Sequence, residues 1–180
     1  MLVPEKAVLV VIDVQQKLLP SIHDKESLLK QTALLVRGAH LTKIPILLTE
    51  QYPAGLGKTD PDVIDALGSA YQPIVKSTIS SLGESKFQSA LSATGRDQII
   101  LCGIEAHVCV YQTARDLLAE GKSVYLVSDC VSSRKESDKD IALRQMYQLG
   151  CSLSTCEMAV FELLKVSGTP EFKEWIRLIR

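Results

Sequence analysis

The sequence predicts an α/β fold in which helices cover a largely parallel sheet. Short apolar runs alternate with amphipathic stretches along the 180 residues, which is the pattern of repeated strand–helix–strand units. A hydrophobic content of 46% is enough to bury a substantial core. Because this length is usual for one domain, we expect a single domain over residues 1–180.

Six short apolar runs are the candidate strands. Each is bounded by polar or turn-forming residues, as buried parallel strands usually are. The runs lie at 7–13, 45–49, 73–76, 97–103, 123–128 and 151–155.

Helical faces lie between these runs. Apolar residues at helical spacing occur over 28–39, 110–121 and 141–149. Asp60-Pro61 has the form of a helix N-cap followed by proline at the first helical position. The tail from Pro170 predicts a terminal helix, whose Trp175 is a candidate contact for a second copy of the chain.

Two loops are longer than tight strand–helix alternation requires. They cover 51–59 and 77–85, and each follows the end of a predicted strand. Long loops at that edge of a parallel sheet commonly line the ligand site. From these loops and their neighbours we predict that Gln15, Tyr52, Ile79 and His107 contact substrate.

Charge and composition disfavour several classes of partner. The net charge is −1, from 20 basic and 21 acidic residues spread along the chain, so no basic stripe is available for nucleic acid or an anionic membrane. No apolar run has the length of a membrane span, and the N-terminus lacks a secretory pattern. We therefore expect a cytoplasmic protein with a small-molecule substrate.

Cysteine and histidine spacing predicts neither disulfides nor a metal. The five cysteines form no C-x-x-C pair and their number is odd, so we expect reduced thiols. The three histidines are scattered, which does not favour a zinc site. Gly57-Lys58-Thr59 matches only the end of a phosphate-binding loop, since Tyr52 stands where its first glycine belongs. No cofactor is expected.

Cys109 is the strongest candidate nucleophile. It follows the predicted strand 97–103 and lies where a helical pattern begins. Unpaired N–H groups and the partial positive charge of a helix start favour thiolate over thiol. Asp13 and Lys76 each end another predicted strand, and parallel strands bring such ends to one ligand-binding edge.

Each of these residues also has an ordinary structural explanation. Free cysteine is most often a buried apolar filler, and we expect that of Cys102 and Cys151. Asp13 can cap the turn after its strand, and Lys76 can be a solvated residue at a strand end. The combination of acid, lysine and thiol on one edge favours function.

The chain resembles the isochorismatase-like (cysteine hydrolase) superfamily. The resemblance covers residues from about 6 to 164 and is carried by the strand 8–13 with Val14-Gln15, by Lys76, and by the segment 103–109. It implies a three-layer, Rossmann-like fold with a six-stranded parallel sheet and helices on both faces. It also implies a homo-oligomer.

The same resemblance implies roles for individual residues. Asp13, Lys76 and Cys109 would form the catalytic set, with Lys76 keeping the thiol acidic. A cis peptide would join Ile104 to Glu105, and N–H groups of Ala106 or Cys109 would face a developing oxyanion.

One departure narrows the resemblance. Nicotinamidases of the superfamily bind a metal through Asp and His residues after the second strand, where this chain has Thr49-Glu50-Gln51-Tyr52-Pro53. This segment, with Gly55-Leu56-Gly57, resembles the isochorismatase-domain-containing branch, whose substrates are generally unassigned.

Retention of Cys109 favours hydrolysis of a C–N bond in a small amide or carbamoyl compound through a thioester. Two alternatives stay open. One is a non-catalytic interaction or scaffold protein on the same fold. The other is vinyl-ether hydrolysis of the isochorismatase type, with Asp13 as the acid and Cys109 incidental.

Overall fold

A six-stranded parallel sheet forms the centre of the computed structural model, which describes residues 1–180. Its order is β3-β2-β1-β4-β5-β6, and every neighbouring pair is parallel. The strands are β1 Ala7–Ile12, β2 Ile46–Gln51, β3 Pro73–Lys76, β4 Gln98–Ile104, β5 Ser123–Ser132 and β6 Ser152–Ser154.

Eight α-helices cover the two faces of this sheet. They are α1 Lys25–Leu41, α2 Pro53–Leu56, α3 Pro61–Leu67, α4 Ser85–Thr94, α5 Tyr111–Ala119, α6 Glu136–Leu149, α7 Cys156–Leu164 and α8 Pro170–Leu178. Residues of α1, α3, α7 and α8 share one buried core, and residues of α4, α5 and α6 share the other. The predicted three-layer α/β fold is therefore confirmed. No helix is both long and apolar enough to cross a membrane.

The central strand β1 shows why this sequence forms a sandwiched strand. All six residues of Ala7–Ile12 are fully buried. Val8 and Val10 belong to the core under α4, α5 and α6, whereas Leu9 and Val11 belong to the opposite core. Side chains alternate between the faces of a strand, so an unbroken apolar run supplies both cores at once.

The largest difference between a predicted and an observed strand boundary is at the end of β5. The sequence predicts an end at 128, but the strand continues to Ser132. The ladder with β4 changes register after Leu101, and pairing resumes with Gly103 opposite Val131. An irregularity of this kind adds residues to one strand without ending it.

The terminal helix corrects one prediction. Trp175 is fully buried within the chain, so the expectation that it contacts a second copy is wrong. Its ring packs edge-on against Phe161 of α7, with ring centroids 6.3 Å apart. The hydrophobic face of α8 is used inside the protein, because α8 covers α1 and α7.

The strand order reverses at the neighbouring strands β1 and β4. From β1 the chain first builds outward to β2 and β3, and it then returns to place β4 on the other side of β1. The crevice at the carboxyl ends of such strands is where ligands bind in open α/β sheets. Asp13, Lys76 and Cys109 all come at or just after carboxyl ends of strands.

Candidate functional site

Asp13 directly follows β1 and is buried, with 1% of its surface exposed. Its backbone is in the left-handed region, at φ 50°, which turns the chain away from the sheet. Oδ1 accepts a hydrogen bond of 2.8 Å from Thr49 Oγ1, and the Asp13 N–H donates to the Thr49 carbonyl at 3.2 Å. β2 therefore holds both the backbone and one carboxylate oxygen of Asp13.

Lys76 is the last residue of β3, and its side chain is fully buried. The Nζ atom lies 2.7 Å from Asp13 Oδ2, so the two charges form a buried ion pair. The alternative of a solvated lysine is thus excluded. Removing either charge would leave the other buried and uncompensated, at a cost of several kcal/mol.

The backbone path from β4 to Cys109 depends on Gly103. Its φ of 116° is a conformation open chiefly to glycine. A Cβ at this position would collide with the backbone of Ile12, so β4 reaches β1 this closely only because the side chain is absent. The next peptide bond, between Ile104 and Glu105, is cis. A π-helical turn then covers Ala106–Val110 and continues into α5.

Cys109 lies in this π-helical turn and is nearly buried, with 9% of its surface exposed. The pKa of its thiol is raised to about 12. Burial is the largest cause, the negative charge of Asp13 adds to it, and the positive charge of Lys76 opposes both. The structure thus brings the three predicted residues together, and the charges of Asp13 and Lys76 act on the Cys109 thiol.

The expectation that the helix start and Lys76 keep the thiol acidic is wrong for the resting protein. With a pKa of about 12, only about one thiol in 10⁵ is ionised at pH 7. Cys109 therefore needs a base when it reacts. Asp13 is the neighbouring carboxylate, and its side chain is hydrogen-bonded to that of Cys109.

The turn around Cys109 is fastened to the loop after β5. The Glu105 carboxylate accepts hydrogen bonds from Arg134 Nε at 2.9 Å and from the Arg134 N–H at 3.2 Å. The backbone N–H groups of Ala106 and His107 lie at the start of the turn. Unpaired N–H groups at a helix start are suitable donors for an oxyanion.

Gln15, which the sequence predicts to contact substrate, uses its side-chain amide within the protein. It is fully buried, and its Nε2 donates to the carbonyls of Gln51 at 3.0 Å and Gly57 at 2.6 Å. Its Oε1 accepts from the Gln51 N–H at 2.7 Å. The Gln15 amide therefore joins the end of β2, at Gln51, to Gly57 in the loop after α2.

Tyr52 and Ile79 are exposed beside the buried ion pair. Tyr52 is 63% exposed and Ile79 is 41% exposed. A cavity of about 350 Å³ is lined by Tyr52, Val75, Lys76, Glu84 and neighbouring residues. The Ile79 carbonyl accepts a hydrogen bond from Lys76 Nζ at 3.2 Å, so the loop after β3 folds over the lysine.

His107 faces away from the nucleophile toward the loop between β5 and α6. Its Nδ1 lies 2.9 Å from Ser133 Oγ, and its Nε2 lies 4.0 Å from a carboxylate oxygen of Asp138. A small cleft of about 110 Å³ adjoins it and Ile141 of α6. Both ring nitrogens of His107 therefore face Ser133 and Asp138, and neither is hydrogen-bonded to Cys109.

Sequence reasoning missed the polar residues that support the ion pair. Thr49 and Gln51 contact Asp13 and Lys76 respectively, and both lie in the second half of β2, where three polar residues follow three apolar ones. That polar end of the strand was the available signal. Ser80 is also buried, and its hydroxyl has no hydrogen-bond partner.

Glu50 has a structural role at the end of β2. Its Oε1 accepts from the Thr59 N–H and hydroxyl, each at 2.8 Å, and from the Tyr71 hydroxyl at 3.0 Å. Burial and this contact raise the pKa of Tyr71. No cluster of three His, Cys, Asp or Glu side chains is arranged to hold a metal ion.

The remaining four cysteines are free and buried away from this site. Burial raises the thiol pKa of Cys102, Cys130 and Cys151, to about 11 in Cys151. Cys102, Cys130 and Cys156 belong to the core under α1 and α7. None of them adjoins Asp13 and Lys76 in the way that Cys109 does.

Comparisons with known proteins show relatives that match most of the chain. Residues 7–158 match the isochorismatase domain family. Isochorismatase domain-containing protein 2 of Danio rerio is 38% identical over 174 residues, which cover 96% of this chain and 86% of the relative.

Two solved structures are also similar. The MAR1 ribonuclease from Caenorhabditis elegans is 37% identical, with a TM-score of 0.91 over 99% of this chain and 91% of that one. The YcaC gene product of Escherichia coli, described as an octameric hydrolase of unknown specificity, is 25% identical with a TM-score of 0.88. That match covers 99% of this chain and 86% of the other.

Proposed function

Because the chain belongs to the isochorismatase family, whose membership supports a hydrolase role, we propose that it hydrolyses the C–N bond of a small amide or carbamoyl compound through a thioester on Cys109. One observation carries the proposal. A nearly buried thiol lies beside a buried Asp13–Lys76 ion pair, and both charges act on its pKa.

In the first step Asp13 Oδ2 takes the thiol proton while Cys109 Sγ attacks the substrate carbonyl carbon. A thiol with a pKa of about 12 supplies little free thiolate, so proton removal accompanies attack. The N–H groups of Ala106 and His107, or that of Cys109, bind the oxyanion. Lys76 keeps its positive charge and offsets the negative charge that moves between Asp13 and Sγ.

The second half of the reaction uses the same proton in reverse. Asp13 gives it to the departing nitrogen, the C–N bond breaks, and a thioester remains on Cys109. Asp13 then takes a proton from water, whose oxygen attacks the thioester carbonyl. Sγ leaves with a proton from Asp13, and the carboxylic or carbamic acid is released. Tyr52 and Ile79 are proposed to contact the substrate at the entrance.

A panel of small amides and carbamoyl compounds, followed by mass spectrometry of the intact protein, tests this mechanism. The expected result is an acyl adduct on Cys109, with turnover lost in Cys109→Ala. Cys151→Ala is the matched control, because Cys151 is buried just before β6, at the opposite edge of the sheet from Lys76 in β3. Full turnover of an identified amide by Cys109→Ala would contradict the proposal.

The two earlier alternatives predict different results. A scaffold protein would hydrolyse none of the compounds and would form no adduct. Vinyl-ether hydrolysis would survive Cys109→Ser but would be lost in Asp13→Asn.

Hydrolysis of RNA is a second candidate, which the name of the nematode relative favours at 37% identity. A net charge of −1 without a basic stripe does not support it. Release of a fluorophore from a labelled RNA that persists in Cys109→Ala would favour this activity over thioester chemistry.

We also propose that the chain is a homo-oligomer in the cytoplasm. An octameric relative of 25% identity supports the assembly, and five free thiols suit a reducing compartment.

A further inference from the structure

The cavity of about 350 Å³ beside the edge strand β3 lies outside the group of reacting residues. Neither Asp13 nor Cys109 lines it. Pro53, Ala54 and Val75 make part of its wall apolar, and Val75 is half exposed in this edge strand. Its volume is at the small end of the range of ligand sites in proteins, so the molecule that fits it is small.

Tyr52 supplies an aromatic ring to this cavity. Its backbone is in the left-handed region, at φ 38°, which is rare for a bulky residue and occurs most often at functional sites. The Tyr52 N–H donates to the Lys76 carbonyl at 3.1 Å, and the Tyr52 carbonyl accepts from the Gly55 N–H at 2.9 Å. The ring packs against Gly55, where an added Cβ would lie 2.2 Å from the ring carbon Cε1. The ring is therefore fixed in place, although most of it is exposed.

Glu84 supplies a carboxylate that has no partner within the protein. It is partly buried at the N-cap position of α4, yet its side chain accepts no capping hydrogen bond. None of the ion pairs of the protein includes it. This carboxylate is therefore available to a ligand.

Lys76 does not cancel the charge of Glu84. It also lines the cavity, but its side chain is fully buried and its Nζ lies 2.7 Å from Asp13 Oδ2. Glu84 is thus the lining residue whose formal charge is uncompensated. A cleft with one uncompensated sign of charge attracts ligands of the opposite sign.

We propose that this cavity binds an organic ammonium group, with Glu84 as its counter-ion and the Tyr52 ring as its cation–π partner. The face of an aromatic ring attracts such cations, and the apolar wall suits their carbon substituents. A metal ion fits less well, since Ca²⁺ takes about six to eight oxygen ligands and the cavity offers one carboxylate. The inference goes beyond the proposed hydrolysis, because it concerns a cavity that the reacting groups do not line.

Binding of choline to the wild-type protein tests the proposal. Its neutral control is 3,3-dimethylbutan-1-ol, in which a carbon atom replaces the charged nitrogen. Proton NMR follows saturation transfer to the ligand methyl groups and the Tyr52 ring signals, which are identified by their absence in Tyr52→Phe. We expect saturable choline binding that shifts the Tyr52 signals, with the alcohol bound about fivefold more weakly or less.

Variants of the two binding residues separate their contributions. Glu84→Gln keeps the shape of the side chain but removes its charge, so choline should bind about fivefold more weakly. Tyr52→Leu should weaken binding by a similar factor, whereas Tyr52→Phe should retain it because the ring remains. Glu120→Gln is the charge-matched control, since Glu120 is exposed at the end of α5, and its affinity for choline should equal that of the wild type.

Two sources fit this ligand chemistry, namely the amide substrate itself and a separate small molecule. Two amides that differ only in a trimethylammonium or a tert-butyl end group distinguish them. If the substrate is the source, kcat/KM for the charged amide should be about fivefold higher, and Glu84→Gln should remove the preference. Equal kcat/KM values together with choline binding assign the cavity to a separate molecule.

Two results would overturn the inference. One is choline binding by the wild type that is no tighter than binding of the alcohol. The other is a folded Glu84→Gln protein that binds choline as tightly as the wild type, and this comparison decides even if Tyr52→Leu does not fold. The choline titration needs no turnover, so failure of the amide panel would contradict the proposed function while leaving this test intact.

Discussion

At the scale of the residue, burial decides the state of the nucleophile. The position of Cys109 at a helix start favours thiolate, and Lys76 adds to that tendency. Burial and the charge of Asp13 outweigh both, because the thiol pKa is raised to about 12. The thiol of Cys109 is thus almost fully protonated at rest, and its thiolate forms only during the reaction.

Asp13→Asn is expected to have opposite effects on reactivity and turnover. Without the Asp13 charge, the pKa of Cys109 should fall, so alkylation by iodoacetamide at pH 8 should become roughly tenfold faster. Turnover should be lost because the base is missing. Stopped-flow or mass-spectrometric alkylation rates check the first effect, and slower alkylation in a folded Asp13→Asn protein would contradict it.

Thr49→Val should measure the value of the hydrogen bond to Asp13. Thr49 Oγ1 donates to Asp13 Oδ1 at 2.8 Å, and hydrogen bonds to charged groups contribute about 1.5–3 kcal/mol. We expect the free energy of unfolding to fall by that amount in urea denaturation.

Thr32→Val is the matched control for this measurement. Thr32 is fully buried, and its hydroxyl has no hydrogen-bond partner. The same substitution should therefore be neutral or slightly stabilising there. Equal losses at the two positions would show that the hydrogen bond to Asp13 contributes nothing specific.

At the scale of the element, the strands follow directly from the sequence. Five of the six predicted runs agree with the observed strands to within two residues at each end. The clearest of them are β1 and β4, which are buried apolar runs. The helix after Asp60-Pro61 is also as predicted, since Asp60 accepts a hydrogen bond from the Asp62 N–H.

Elements defined by distant contacts could not be predicted in the same way. The end of β5 depends on a register shift against β4. Gln51 meets Lys76 across 25 positions of sequence, and nothing in either local segment specifies that contact. The raised thiol pKa of Cys109 likewise depends on burial by several elements, which residue spacing does not express.

Gly103→Ala should disrupt the junction between β1 and β4. An added Cβ would meet the Ile12 backbone and would require a left-handed conformation, so we expect a loss of stability of about 3 kcal/mol or more. Thermal unfolding followed by circular dichroism measures it.

Gly95→Ala separates the two causes of that loss. Gly95 also has a positive φ, at 64°, but nothing lies within 4 Å of a Cβ there. Only the conformational cost applies, and it should be about 1 kcal/mol. Similar losses for both variants would mean that the close approach to Ile12 is unimportant.

At the scale of the whole molecule, buried thiols couple stability to alkaline pH. Cys102, Cys109, Cys130 and Cys151 all have a pKa raised above the ordinary value of 9.0. Between that value and the folded pKa, the unfolded chain loses thiol protons that the folded protein retains. Stability is therefore complete below pH 9 and falls as pH rises, by about 1.4 kcal/mol per pH unit for each such thiol.

Urea denaturation at pH 8, 9 and 10 should show this loss as a falling midpoint. Cys151→Ala should make the decline between pH 9 and 10 shallower, because one of the contributing thiols, with a pKa of about 11, is removed. A midpoint independent of pH up to 10 would contradict the assigned direction of these pKa shifts.

The burial of Trp175 has a practical consequence for spectroscopy. It is the single tryptophan of the chain, it is enclosed between α8 and α7, and its indole N–H has no hydrogen-bond partner. Its emission should therefore be that of an indole in an apolar environment. Because α8 lies on the opposite face of the sheet from α5, fluorescence will report detachment of the last helix while remaining insensitive to chemistry at the thiol.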